Sequence, residues 1–187
     1  MGKIVNNKGI MITPENIETM KNWPKPTNVK QLESFLGFMN YHRDHVKHFA
    51  EIVEPLHKLV SRKSEYKWTD QHQDAFQKLK DSLLHATVLH HPDPDEIFIL
   101  DTDASDKSIG AELSQVQNGV EKTVCFASKV QTPQQRKYCT TRKELLSIVV
   151  FTRQFRHYLI GRPFIVRTNH NSPCLVDQFQ KYPRAIS

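Results

Sequence analysis

The sequence predicts an α/β (α+β) fold, with a small helical region followed by a mixed β-sheet carrying a packed helix. Three observations support this. Apolar residues recur at helical spacing in the first half, and short runs of β-formers replace them after Pro94. The proline-broken stretch His90-His91-Pro92-Asp93-Pro94 separates the two patterns. The chain is therefore read as two units, residues 1–92 and 93–187. At 187 residues it can bury one good core or two small ones. Apolar residues at 38% and charged residues at 25% fit ordinary globular packing.

The first half reads helical throughout. Asn28 and Gln31 have the spacing to cap a helix that carries Leu32, Phe35, Leu36 and Met39 on one face. The preceding Trp23-Pro24-Lys25-Pro26 is stiff and extended, because each proline restricts the residue before it. A second helix is expected over Ile52–Val60. A third follows Thr69 as N-cap, with Phe76, Leu79 and Leu83 on one face. Trp23 and Trp68 are aromatic enough to stack on bases, but Trp68 precedes a helix cap and is read as a staple to the core.

In the second half, Glu96–Asp103 (EIFILDTD) reads as a strand and Ile109–Val116 as another. Asn118-Gly119 supplies a strong hairpin turn, and Val120–Ala127 returns as the third strand. Leu145, Ile148, Val149, Thr152, Phe155 and Leu159 form a helical stripe that stops at Gly161. Pro163–Thr168 is the fourth strand. Three antiparallel strands, a helix and another strand make a mixed layer that suits a site at strand ends.

No apolar run approaches the length of a membrane span, and the first twenty residues lack the apolar core of a signal peptide. Gly2 is not followed by the hydroxyl residue that myristoylation expects, since position 6 is Asn6. The three cysteines, Cys125, Cys139 and Cys174, have no CxxC spacing and suggest a reducing compartment. The expected location is therefore intracellular, cytoplasmic or nuclear, with no membrane partner. A formal charge of +6 suits contact with phosphates, although the excess is spread evenly on both sides of Pro92.

Two carboxylates stand where chemistry could occur. Asp103 lies near the end of the first predicted strand. Glu144 lies in Thr141-Arg142-Lys143-Glu144, a capping-box spelling that would set it in the first turn of the helix. Each has a plain alternative: Glu144 as a cap alone, and Asp103 as a turn residue. The functional alternative is convergence on divalent metal, where a pair of Mg²⁺ ions activates water and stabilises a leaving oxygen.

The stretch Ile99–Gln115 (ILDTDASDKSIGAELSQ), followed by CFASK, RKELLSIV and FRHYLIG, resembles the RNase H domain of gypsy-type LTR-retrotransposon polymerases. Upstream, Phe35–Tyr41 (FLGFMNY), EPLHKL and AFQKLKDSLLHATVLHHPD are similar to the thumb and connection of the same reverse transcriptases. The resemblance implies a piece of a Pol polyprotein whose parent activity is Mg²⁺-dependent endonucleolytic cleavage of RNA in RNA–DNA hybrids. Asp103 and Glu144 match the family's first two catalytic and metal-binding carboxylates. The third belongs to a T-D-H triplet that here reads Thr168-Asn169-His170, so Asn169 offers a neutral carbonyl where a charge is expected. The fourth would lie past Ser187, which implies a domain incomplete at its C-terminus. Asp101 shares a strand face with Asp103 and could lend charge. With this ligand set, cleavage is expected to be weak or lost. No Y-x-D-D polymerase motif is present.

Lys129, Arg136, Lys137, Arg142 and Lys143 cluster around the helix carrying Glu144. They read either as a solvated basic surface or as phosphate contacts along a hybrid or other nucleic acid. His42, His45 and His48 recur at intervals that raise a zinc question, but they are read as scattered surface histidines. Asp44 and His45 depart from the family pattern and are expected to weaken packing or phosphate contacts. Two further readings accompany the nuclease one: a non-catalytic nucleic-acid- or protein-binding module, and a remnant without a stable fold.

Overall fold

A computed structural model describes residues 2–61 and 66–168. It begins with a hairpin that the helical reading of the first half missed. Strands β1 (Lys3–Asn6) and β2 (Gly9–Ile12) pair antiparallel, Lys3 opposite Ile12. Four-residue strands are too short to declare a period. This pair is held from a distance, because the Ile10 N–H donates to the Leu89 carbonyl at 2.6 Å and the Leu89 N–H returns a bond at 3.1 Å. Gly9 permits that approach. Its φ is +133°, and a Cβ there would lie 2.2 Å from the Leu89 carbonyl oxygen.

Four helices follow. In α1 (Pro14–Lys21), Pro14 occupies the first turn and the Thr13 hydroxyl accepts from the Asn16 N–H. Helix α2 (Val29–Tyr41) starts at the expected cap, with Asn28 Oδ1 accepting from the Gln31 N–H at 2.9 Å. Helix α3 (Phe49–Ser61) begins three residues before the expected Ile52 and runs through Pro55. In α4 (Asp70–Leu84) the cap is Thr69, and His72 Nδ1 takes the place of the usual acidic partner by accepting the Thr69 N–H at 3.0 Å. The apolar faces of these helices meet in one core that includes Leu32, Phe35, Leu56, Phe76 and Leu79. Trp23 and Trp68 pack against that core, with ring centroids 5.7 Å from Phe35 and 5.9 Å from Phe76 respectively.

The second half forms a four-stranded sheet in the order β5-β4-β3-β6. Strands β3 (Phe98–Ala104), β4 (Ser108–Gln117) and β5 (Val120–Val130) form an antiparallel meander. Its tight turn has positive φ at both Asn118 and Gly119, as the Asn-Gly pair predicts. Strand β6 (Phe164–Thr168) returns parallel to β3. The crossover that a parallel pair requires is supplied by α5 (Thr140–Gln154) and α6 (Arg156–Leu159). The second core lies between α5 and one sheet face, where Phe98, Leu100 and Leu113 meet Phe151, Phe155 and Leu159. The expected stripe on α5 is corrected by a rotation. Glu144, Ser147, Ile148 and Phe151 are buried, whereas Leu145 and Val149 are exposed.

The histidines are also corrected. His42 and His45 are buried rather than scattered over the surface. Instead of loosening the packing, His45 joins it, and Asp44 pairs with Lys3 at 3.7 Å. The His42 ring packs against Phe38 and Tyr41 at 5.0 and 4.9 Å, and neither ring nitrogen has a hydrogen-bond partner. It behaves as an apolar ring of the core. Burial, followed by the neighbouring Lys3 and His45, pushes its pKa down from 6.5 to about 4.

Two expectations follow. Gly9→Ala places a methyl group against a carbonyl that the Ile10–Leu89 bridge holds fixed, at a φ that L-residues rarely adopt. Urea unfolding is expected to show a loss of about 2 kcal/mol or more. The neutral His42 ring is the folded form, whereas the unfolded chain takes its proton near 6.5. Stability is therefore full above that value and falls as the pH drops towards 4. The loss is on the order of 2–3 kcal/mol. Urea midpoints across that window should slope downward for the unaltered chain and clearly less for His42→Leu.

Candidate functional site

Strand β3 divides its residues between two environments. Phe98, Leu100 and Thr102 are buried on the α5 face, so alternation turns Asp101 and Asp103 to the opposite face. Register carries this second face across the sheet. Glu112 lies opposite Asp101, Gly110 opposite Asp103, and Arg167 of β6 beside Asp101.

The helical half covers part of this face. The Ala50 N–H, in the first turn of α3, donates to Ser128 Oγ on β5 at 2.8 Å. His48, with a positive φ of 55°, sits over Gly110, where a Cβ would lie 3.1 Å from its Nδ1. A methyl group at this position would press on the His48 ring, which would have to shift by a few tenths of an ångström. Lys47 reaches Glu112 at 3.8 Å. A cavity of about 250 Å³ remains, lined by Lys47, His48, Asp101, Asp103, Glu112 and Arg167 among others.

The cavity's charges are largely paired with one another. Arg167 grips Asp101 side-on, Nε to Oδ1 at 2.7 Å and Nη2 to Oδ2 at 2.5 Å, and also binds Glu121. Arg167 and the Ser114 hydroxyl hold the Glu121 carboxyl below the usual carboxylate range, and the two acids push the guanidinium pKa up. Glu112 accepts from the Thr123 hydroxyl at 2.7 Å.

Asp103 is half-buried near the end of β3, and Glu144 is buried on α5, which packs across β3. The two expected carboxylates therefore ride on elements in direct contact. The capping-box reading of Glu144 is corrected. The N-cap is Cys139, and α5 starts at Thr140, so Glu144 lies beyond the first turn. The extended backbone at Cys139 sets that start, and it makes no side-chain cap bond. Asn169 lies outside the described residues. Among the described residues, no group of three or more His, Cys, Asp or Glu side chains is placed to hold a metal ion. On the Asp103 face, Asp101, Glu112 and Glu121 are each paired with a cation of the protein itself.

The five cations around α5 separate into two kinds. Lys143 is buried and bonds Asp106 Oδ1 at 2.8 Å, tying α5 to the turn that follows Asp103. Arg136 is half-buried and bonds Glu54 Oε1 of α3 at 2.8 Å. Lys129, Lys137 and Arg142 remain exposed. The sequence reading did not single out Arg167, Glu112 or Lys47, and raised His48 only in the zinc question. Only the i, i+2 placement of Asp101 pointed toward this face, since the rest depends on strand register and on docking of the helical half.

A family model for the RNase H-like domain found in reverse transcriptase matches residues 68–166, more than half of the chain. The retrovirus-related Pol polyprotein from transposon 412 of Drosophila melanogaster is 34% identical over 170 residues, covering 91% of this chain and 14% of that polyprotein. The transposon Tf2-3 polyprotein of Schizosaccharomyces pombe is 33% identical over 175 residues, or 92% of this chain and 13% of that one. Two solved structures of the foamy viral protease-reverse transcriptase match the whole chain at 26% identity. The complex with double-stranded DNA has a TM-score of 0.81 and is covered over 39% of its chain. The complex with RNA/DNA hybrid has a TM-score of 0.79 and is covered over 26%. The chain thus spans a minor part of each of these proteins.

Proposed function

We infer the function from one premise: this chain belongs to the family of RNase H-like domains found in reverse transcriptase. We propose that it is the thumb, connection and RNase H-like segment of a gypsy-type LTR-retrotransposon Pol polyprotein, divided near Pro92. In this reading it works beside the rest of that polyprotein. It binds a nucleic-acid duplex, an RNA–DNA hybrid above all, and cleaves it weakly or not at all.

The observation that carries this reading is the state of the carboxylates. RNase H-like domains generally use Mg²⁺, and Asp103 and Glu144 stand at the positions that the family resemblance assigns to its first two ligands. No third acid is grouped with them among the described residues, and the next assigned position is Asn169. A neutral amide there removes a full charge from any balance against a divalent ion. Duplex binding draws support from the exposed Lys129, Lys137 and Arg142, and from α2. Gly37 sits in mid-helix on its exposed side, with nothing within 4 Å of where a Cβ would project. Internal packing gives no reason for a residue that costs a helix about 1 kcal/mol, whereas an open backbone suits the close approach of a sugar-phosphate chain.

Fluorescence anisotropy with labelled RNA–DNA hybrid, run at several salt concentrations beside a cleavage assay in Mg²⁺ and in Mn²⁺, tests the proposal. Reversing Lys129, Lys137 and Arg142 to Glu together is expected to weaken binding about tenfold or more and to lower the salt slope by about one per lost contact. Gly37→Leu should weaken binding without lowering the unfolding midpoint. Weak cleavage or none is expected from the unaltered chain, and Asn169→Asp is the variant to compare with it. Efficient hybrid cleavage by the unaltered chain would overturn the reading of a broken site, and absence of any salt-dependent binding would overturn the duplex reading.

A further inference from the structure

Two imidazoles are packed together just past the end of α2. His42 is fully buried, and neither of its ring nitrogens has a hydrogen-bond partner. His45 is buried too; its Nδ1 lies 3.4 Å from the Thr87 carbonyl, and its Nε2 has no partner. The ring centroids are 6.4 Å apart. Lys3 of β1 stands beside the pair, its ammonium 5.4 Å from the centre of the Tyr41 ring and 3.7 Å from Asp44. The structure that encloses these rings is slight. The His45 and Val46 N–H groups donate to the His42 and Arg43 carbonyls in a single 3₁₀ turn, Arg43–His45. The hairpin above it has two strands of four residues, tied down through the Ile10–Leu89 bridge. One such turn and one such hairpin are each marginal by themselves.

A proton on either ring puts a charge where no free acceptor waits. For His42, burial first, then Lys3, His45 and the amino terminus oppose that charge, and the pKa falls to about 4. For His45, burial outweighs the Thr87 carbonyl; Lys3 also opposes the charge and Asp44 favours it, and the net direction is again down. Asp44 already serves Lys3. On β5, which packs against this turn, burial and Asp44 push the Cys125 thiol up to about 12, so it stays uncharged. His91 meets the Asn6 carbonyl of the hairpin at 2.9 Å, a bond that a protonated ring keeps by donating.

We propose that His42 and His45 form a proton-operated latch: on taking up protons they release the turn Arg43–His45 and the hairpin β1–β2 from their packing, while the two apolar cores stay folded. The opened segment binds protons that the closed one refuses. The closed form is therefore fully favoured above about 6.5, the ordinary histidine value, and loses ground as the pH falls below it. Each refused proton raises the opening equilibrium by up to about tenfold per pH unit in that range. A release confined to this segment is a sub-global opening, since the elements it frees carry few of the buried contacts. Duplex binding plays no part in the latch, which is a property of the free chain.

Amide hydrogen exchange, corrected for its intrinsic pH dependence and run without urea and in low urea, tests the latch. The reporters are the N–H groups of Ile10, His45, Val46 and Leu89, all hydrogen-bonded in the closed form. Between about pH 7.5 and about pH 5.5 they should open more readily by at least about tenfold, with little response to low urea. The amides of β3 and β4 should remain the better protected at both pH values. His42→Leu should reduce the pH effect, and His42→Leu combined with His45→Leu should abolish it. If the variants do not fold, the unaltered chain decides alone. Reporters whose protection equals that of the sheet and shares its urea dependence would mean global unfolding and overturn the latch. So would reporters indifferent to pH, or a pH effect that persists in a folded double variant.

Discussion

Docking of α3 onto β5 is the constraint on which the rest of the molecule depends. The first turn of a helix exposes N–H groups that its own ladder cannot satisfy. At α3 one of them, on Ala50, is satisfied by Ser128 from the sheet. The next acidic side chains along the helix continue the grip. Glu51 Oε2 accepts from the hydroxyls of Ser108 at 2.7 Å and Ser105 at 3.3 Å, which flank the turn just after Asp103. Glu54 holds Arg136 on the approach to α5, and Lys58 and Arg136 together keep its carboxyl below the usual range. One helix from the first half therefore fixes the loops on both sides of the candidate site. The helical half is part of the site's framework.

That framework determines where the positive charge can act. Two of the five cations expected at a nucleic-acid surface, Arg136 and Lys143, are committed to Glu54 and Asp106. A half-buried or buried cation with a carboxylate partner stays folded against it, because stripping the partner leaves an uncompensated charge. Only the exposed cations can exchange water for phosphate at little cost. The cavity beside Asp103 is no source of attraction for a polyanion either, since Lys47 and Arg167 face four carboxylates there. Among the described residues, the uncommitted cations Lys129, Lys137 and Arg142 lie on the outer surface.

Much of the fold was legible because it rests on local chemistry. Asn28 and Thr69 cap their helices, Asn118-Gly119 turns its hairpin, and the strands fall within a few residues of their expected bounds. What stayed hidden depends on contacts between distant segments. The hairpin at Lys3–Ile12 is anchored by Leu89. His42 looks like a surface residue until Phe38 and Tyr41 close around it. The α5 stripe was misread by one position because Glu144 and Ser147, polar by type, face inward, while Leu145 and Val149 face out. In the site, Asp103 and Glu144 could be named from motif and position. Arg167 could not, because a parallel pairing register is a tertiary fact that neither strand declares alone.

The ion pairs on the Asp103 face also bear on how such a fold can outlast its chemistry. Carboxylates crowded on neighbouring strands repel one another, and in a metal centre the bound cation relieves that repulsion. A site that relied on the cation would lose stability as well as activity if metal binding failed. Here Arg167 and Lys47 provide the relief from within the chain, while the apolar core of Phe98, Leu100 and Phe151 lies on the opposite side of the sheet and is indifferent to the exchange. Pairing each acid with a cation of the chain lets this face pack without help from any bound ion. The result is a sheet braced by α3 whose acidic face is neutralised from within and whose exposed cations lie elsewhere on the surface.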